Sequence, residues 1–144
     1  MPHAGQEIRG PDGFRLRLVR TAAETGGELL EMEATYGSRG SLPPEHMHPR
    51  QAERFEVLDG TIRAVIGGTE RRYERGEAFE VPAGTPHQMT GHGPARARWE
   101  VRPALRTAEF FERLYSDGPD SGRAAGSFAD FLGEFRDEIR ITGL

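Results

Sequence analysis

Short runs in which apolar and polar residues alternate, with glycine or proline between most of them, fill residues 14–102. Alternation with a period of two indicates strands that bury one face. The runs occupy residues 14–18, 28–36, 52–58, 61–66, 70–75, 78–81, 87–90 and 95–102. Asp59-Gly60 and Gly67-Gly68 separate neighbouring runs and are typical of hairpin turns. Many short strands with such turns predict an all-β sandwich or barrel.

The pattern changes after residue 104, where apolar residues recur at helical spacing. Residues 107–115 predict a helix and residues 116–126 a polar, glycine-rich loop. A second apolar helical face then contains Phe128, Phe131, Leu132, Phe135 and Ile139. We therefore divide the chain into a loose lead-in at 1–13, a barrel at 14–104 and C-terminal helices at 105–144. We expect the helices to pack on the barrel or on a partner subunit.

Composition excludes several kinds of site. The 144 residues fit one domain, and the absence of cysteine and lysine rules out thiolate ligands and lysine Schiff bases. The net charge is -4 and acidic residues alternate with arginines, which does not favour a nucleic-acid partner. No run approaches the roughly 20 apolar residues of a membrane span, and residues 1–10 lack the apolar core of a signal peptide. We expect a cytoplasmic protein with no membrane partner.

Two histidines at strand spacing introduce a candidate metal site. His46 and His48 are two residues apart, so a strand would place both imidazoles on one face. Glu53 begins a run in which it shares a face with Phe55 and Val57, and two apolar neighbours indicate that this face is interior. A carboxylate in the interior needs a partner, because burying an unpaired charge is expensive. A metal ion held with the two histidines would supply that partner.

A fourth candidate ligand follows a predicted turn. Pro82 and Gly84 shape the turn, after which the chain re-enters a strand at His87. Alternation then directs His87 and Met89 to the same face, towards the interior of the barrel. His3 and His92 have no partners at ligand spacing, and we assign them no role.

These residues form two motifs that resemble those of the cupins. The first cupin motif begins with a glycine, followed after five residues by His-x-His. A glutamate comes three or four residues later, and a second glycine follows after six more. In this chain the fixed positions are Gly40, His46-Met47-His48, Glu53 and Gly60. The second motif begins with a glycine, followed after five residues by Pro-x-Gly. A histidine comes two residues later, and an asparagine follows after three more. In this chain the fixed positions are Gly76, Pro82-Ala83-Gly84 and His87, and Gly91 stands in place of the asparagine. The resemblance covers residues 14–102 and leaves the C-terminal helices outside it.

The resemblance implies a fold and a ligand set. The fold is the cupin double-stranded β-helix, a jelly-roll barrel, to which this chain adds a C-terminal helical tail. The implied ligands of one divalent transition metal ion are His46, His48, Glu53 and His87, a donor set that suits Fe, Mn, Ni, Co or Zn. An octahedral ion would keep two positions open for a substrate or O₂. By similarity to cupins of the flavonol dioxygenase type, Glu53 is also a candidate catalytic base.

Strand parity predicts the residues that surround the ion. Phe55, Met89 and Trp99 are candidates for binding a substrate, with Tyr36 or Phe79 near the rim, although core packing is the simpler explanation for each of them. Small residues beside Trp99 on its strand leave room for a small, partly apolar molecule.

The resemblance to the cupins implies most directly a metal-dependent oxidoreductase of the dioxygenase type. Its substrate would be a small, partly apolar organic molecule. A cyclase or isomerase of secondary metabolism and a non-catalytic ligand-binding barrel are alternatives. A metal-free sugar epimerase is disfavoured, because the set of metal ligands is complete. Sheet edges and the apolar tail predict a homodimer.

Overall fold

Two antiparallel sheets form the body of the protein in the computed structural model, which describes residues 1–117 and 125–142. The strands are β1 (Glu7–Arg9), β2 (Arg15–Arg20), β3 (Leu30–Tyr36), β4 (His46–Met47), β5 (Ala52–Asp59), β6 (Thr61–Ile66), β7 (Thr69–Glu74), β8 (Ala78–Val81), β9 (His87–Gly91), β10 (Ala95–Arg102) and β11 (Arg140–Ile141). A 3₁₀ turn spans Pro11–Gly13, and the helices are α1 (Ala22–Thr25), α2 (Thr107–Asp117) and α3 (Ala125–Glu134).

The order of the strands is that of a jelly roll. One sheet has six strands in the order β1-β2-β3-β10-β5-β8, and the other has five in the order β11-β4-β9-β6-β7. The chain repeatedly passes from one sheet to the other, and His87 of β9 meets Glu53 of β5 across the core. The predicted all-β fold with a helical C-terminal region is confirmed.

Alternation along the strands separates the core from the surface. On β10, Trp99 and Val101 are buried, whereas Arg96 and Arg98 point outwards. These arginines pair with glutamates of the neighbouring strands, such as Glu33, whose Oε1 lies 2.7 Å from Nη1 of Arg96. Exposed pairs of this kind contribute little to stability. The buried face is therefore the main source of stability in the barrel.

The two ends of the chain differ from the sequence-based expectation. The lead-in at 1–13 contains β1, which pairs with β2, and three residues are too few for alternation to reveal a strand. The last apolar face is not one helix: α3 ends at Glu134, and β11 joins the five-stranded sheet beside β4. Of the loop predicted over 116–126, residues 118–124 lie outside the described part of the chain.

The C-terminal helices pack on the barrel through aromatic rings. Phe110 contacts Phe131 and Phe135, with ring centroids 5.4 Å apart in both pairs. Phe111 meets Trp99 of β10 edge to face at 5.3 Å, which joins this cluster to the barrel. Among the helices described here, none is long and apolar enough to cross a membrane.

The turn between β5 and β6 gives a test of the packing. Gly60 has φ of +72°, and a Cβ added there would overlap the carbonyl oxygen of Pro94. We expect Gly60→Ala to lower the free energy of unfolding by about 2–4 kcal/mol, because a left-handed alanine alone costs about 1–2 kcal/mol. Chemical denaturation measures the loss.

Gly68→Ala is the matched control for this prediction. Gly68 also has a positive φ, +84°, but no described atom lies within 4 Å of its added Cβ. The free energy of unfolding of this variant should therefore fall only by the cost of a left-handed alanine backbone. Equal losses at both positions would show that the contact with Pro94 is unimportant.

Candidate metal centre

Three imidazoles meet between the sheets. His46 lies on β4 directly opposite His87 on β9, and His48 lies one residue beyond the end of β4. The ring centroids are 4.5 Å apart for His46 and His87 and 5.1 Å for the other two pairs. One nitrogen from each ring lies within 4.8 Å of the others, an arrangement that can hold a metal ion. The structure therefore brings together the three histidines that the sequence predicts as metal ligands.

Backbone carbonyls fix the orientation of each ring. Nδ1 of His46 lies 3.0 Å from the carbonyl oxygen of Pro44, that of His87 lies 2.9 Å from Thr85, and that of His48 lies 2.7 Å from Glu138. A carbonyl oxygen can only accept a hydrogen bond, so the proton must be on Nδ1. Each neutral ring therefore keeps its lone pair on Nε2, as a metal ligand requires.

The carboxylate of Glu53 completes the polar cluster. Glu53 is 2% exposed, and its Oε1 lies 3.1 Å from Nε2 of His48 and 3.0 Å from Nε2 of His87. Despite the short distance, neither Nε2 of His48 nor Oε1 of Glu53 has an aligned hydrogen-bond partner in the described structure. Buried polar atoms without partners are rare in proteins, and a cation between these two would satisfy both. The residues present therefore fit a metal ion.

The second carboxylate oxygen is held by an indole. The Nε1–H of Trp99 donates to Oε2 of Glu53 at 2.8 Å. Strand parity predicts Trp99 as a substrate residue but does not reveal this bond, because parity gives the face of a residue and not its neighbour across the sheet. The bond fixes the carboxylate so that Oε1 points at the histidines.

The electrostatics of the cluster favour a cation. Burial alone would raise the pKa of Glu53, but the adjacent His48 and His87 lower it well below its usual range, so it is ionised. Burial and the neighbouring His87 lower the pKa of His46 to about 4, which keeps this ring neutral. For His48, burial opposes the charged form, but the Glu53 carboxylate outweighs it and raises the pKa. A bound cation would take the place of that proton beside Glu53.

A cavity of about 570 Å³ opens onto His46 and His48. The predicted substrate residues Met89 and Trp99 line it, as does Tyr36. Phe55 is not among the described lining residues, because it is stacked between Trp99 and Phe79 in the core. Burial raises the pKa of Tyr36, so its hydroxyl remains protonated and can donate a hydrogen bond.

The outer wall of the cavity comes from residues that sequence reasoning did not assign to the site. These are Phe14 near the N-terminus and the apolar faces of α2 and α3, including Phe111, Leu114, Tyr115 and Leu132. The signal for the helices was the amphipathic pattern, which indicates a buried face but not what that face covers. The lining is therefore largely apolar and aromatic.

Comparison with known proteins identifies the family. A family model described as a cupin domain matches residues 32–101, which is the region that holds all three histidines and Glu53. A solved structure of a cupin has a similar fold. The chain belongs to the cupin superfamily. It is similar to quercetin 2,3-dioxygenase of Bacillus subtilis, with 31% identity over 91 residues, or 62% of this chain and 27% of that protein.

Other relatives are similar over shorter regions. Tetracenomycin polyketide synthase protein TcmJ of Streptomyces glaucescens is 32% identical over 66 residues, 44% of each chain. This cupin therefore spans less than half of the length of either curated relative.

Solved structures support the fold. The structure of KdgF from Halomonas sp. has a TM-score of 0.60 and 21% identity, covering 68% of this chain and 86% of that one. An RmlC-like cupin from Shewanella frigidimarina has a TM-score of 0.61 and 16% identity, and the match covers 74% of this chain and 96% of that one.

The bond between Trp99 and Glu53 can be tested by substitution. Trp99→Phe keeps an aromatic ring beside Phe55 and Phe111 but removes the Nε1–H donor. In the metal-free protein, we expect this substitution to lower the free energy of unfolding through two losses, one from packing and one from the hydrogen bond. The second loss should be about 1.5–3 kcal/mol, the range for a hydrogen bond to a charged group.

A double-mutant cycle separates the hydrogen bond from packing. The same Trp99→Phe change is measured by chemical denaturation in a Glu53→Ala background, where no carboxylate remains. There the loss should shrink to the packing contribution. Equal losses in the two backgrounds would contradict a role for the indole N–H.

Proposed function

We propose that this cupin is a metal-dependent enzyme of the oxygenase type that acts on a small, largely apolar aromatic molecule. One observation carries the proposal: three Nε2 lone pairs and Oε1 of Glu53 converge where an aromatic-lined cavity begins. Clefts that combine many apolar contacts with a few convergent polar groups are typical of small-molecule sites. We propose His46, His48, His87 and Glu53 as the ligands of one divalent transition metal ion.

The donor set limits the metal without selecting one. Three neutral imidazoles and one carboxylate suit Fe, Mn, Ni, Co or Zn. When bound, such an ion supplies a Lewis acid with room for further ligands. The short contacts of Glu53 with His48 and His87 place its Oε1 where it can also accept a proton from a substrate hydroxyl, and the Trp99 N–H keeps that oxygen in position.

The cavity supports an apolar aromatic substrate. Rings of Phe14, Trp99, Phe111 and Tyr115 line it, and a flat aromatic molecule can stack on or against them. No arginine is found among the described lining residues. This argues against a phosphorylated sugar, and so against the metal-free sugar epimerase, which needs phosphate-binding arginines.

The relatives divide over the reaction. One is named quercetin 2,3-dioxygenase and another a probable oxidoreductase, which support oxygen chemistry. The likeness to TcmJ, named as a polyketide synthase protein, favours the cyclase or isomerase alternative. A ligand-binding barrel without turnover is the third possibility. Of these three functions, we propose oxygenase activity as the first choice. We also propose that the protein is a cytoplasmic homodimer.

Metal reconstitution tests the site. Protein incubated anaerobically with each of the five ions should retain about one equivalent of at least one of them. His87→Ala should weaken that binding by about 100-fold or more, since a ligand is lost, while His92→Ala should not, because His92 is exposed and outside the cluster.

Elemental analysis measures the stoichiometry, and light scattering of the same samples should give the mass of two chains. Wild-type protein that holds less than about a tenth of an equivalent of every ion would refute the metal site. The mass of a single chain would refute the homodimer.

Oxygen consumption tests the reaction. With a panel of polyphenolic and polycyclic aromatic compounds, the reconstituted protein should consume O₂ and form product in air but not anaerobically. Glu53→Gln should lose at least about 100-fold in rate, in line with the loss of a general base. Product formed equally well without O₂ would favour the cyclase or isomerase. Binding without product in either condition would favour the ligand-binding barrel.

A further inference from the structure

His48 is held differently from the other two histidines. His46 and His87 each donate to a carbonyl two residues earlier, so the local turn sets their orientation. His48 instead donates to the carbonyl oxygen of Glu138, 90 residues further along the chain, over the shortest of the three distances, 2.7 Å. Of the three rings, His48 is therefore the one whose orientation depends on a distant segment.

The turn that carries the Glu138 carbonyl is firmly anchored. The backbone N–H groups of Glu138 and Ile139 both donate to the carbonyl oxygen of Phe135, at 2.8 and 2.9 Å. The Phe135 ring is fully buried among Phe110 and Phe131. Oε2 of Glu138 accepts from the backbone N–H of Arg106 at 3.3 Å, just before α2.

The residues after Glu138 are tied to the strand of the first histidine. In the pairing of β11 with β4, Ile141 lies opposite His46. The backbone N–H of Thr142 donates to the carbonyl oxygen of Glu45 at 3.0 Å, and its hydroxyl donates to Oε1 of Glu45 at 2.6 Å. The segment is thus fixed on both sides of the carbonyl that His48 uses.

We propose that residues 135–142, which we call the C-terminal clasp, are a positioning element of the metal centre. The Glu138 carbonyl holds the proton of His48 on Nδ1, so that the lone pair of Nε2 points at Glu53 and the other histidines. Without this acceptor, the neutral ring would be free to rotate or to carry its proton on Nε2, where it blocks coordination. The proposal rests on the proposed metal site and extends it beyond residues 32–101.

Proline in β11 tests the clasp in the full-length chain. Arg140→Pro removes a backbone N–H and disfavours the strand beside β4. We expect the affinity for Zn(II) or Co(II), measured by competition with a chromophoric chelator, to fall by about 10–100-fold, as for other losses of support behind a ligand. Thr142→Ala, which cuts the side-chain bond to Glu45, should cause a smaller loss in the same direction.

Arg71→Pro is the matched control. It places proline in β7, the opposite edge strand of the same sheet, where Arg71 is exposed and pairs with Ala64. Its metal affinity should stay within about twofold of wild type, because strand damage at that edge leaves the acceptor of His48 in place. Thermal melts verify that each variant is folded, and Thr142→Ala provides the test if Arg140→Pro does not fold.

The tautomer of His48 can be measured directly, and a general loss of protein stability would not change it. ¹⁵N NMR of the metal-free protein at alkaline pH should show all three cluster histidines protonated on Nδ1. In Arg140→Pro, or in Thr142→Ala to a smaller extent, His48 alone should lose this state, while His46 and His87 keep it.

Two results would overturn the clasp: a wild-type His48 protonated on Nε2, or folded clasp variants with wild-type tautomer and affinity. Failure of wild-type protein to bind any ion would instead refute the proposed function. In that case the tautomer measurement still decides whether the clasp orients the ring of His48.

Discussion

The arrangement of the site follows from one buried carboxylate. Glu53 lies in the core at 2% exposure, where an unpaired charge would cost several kcal/mol. Its Oε2 accepts the Trp99 N–H, and its Oε1 faces Nε2 of His48 and of His87. Because each of these imidazoles carries its proton on the far side, bound to a backbone carbonyl, neither can donate from Nε2 while it is neutral. While both rings are neutral, the cluster has a negative charge surrounded by lone pairs, which a cation satisfies.

Three layers of the fold contribute to this cluster. The six-stranded sheet provides Glu53 and Trp99 from the adjacent strands β5 and β10, and the five-stranded sheet provides His46 and His87 from β4 and β9. The C-terminal region adds the outer wall of the cavity and the acceptor for His48. The helices and the clasp are therefore part of the site, although they lie outside the region that the family model matches.

Some of the site was predictable because it depends on local periodicity. Glu53 shares its strand face with Phe55 and Val57, and this face is buried as parity required. Parity could not tell that Phe55 lies behind Trp99 rather than in the cavity, since both residues face inwards. That distinction depends on which strands are neighbours and on what covers the open end of the barrel. Similarly, helical spacing continued through Phe135 and Ile139, but the helix ends at Glu134, because pairing of β11 with β4 prevailed over helical propensity.

The sequence by itself determined the longer strands, their inward faces and the three histidines that could hold a metal, because each of these follows from spacing along one element. Only the tertiary structure decided how those residues are held. The orientation of His48 depends on a carbonyl 90 residues away, and that of Glu53 on an indole 46 residues away. Which distant backbone returns to the site is decided by the packing of the whole chain. A pattern within one strand or helix contains no information about that partner.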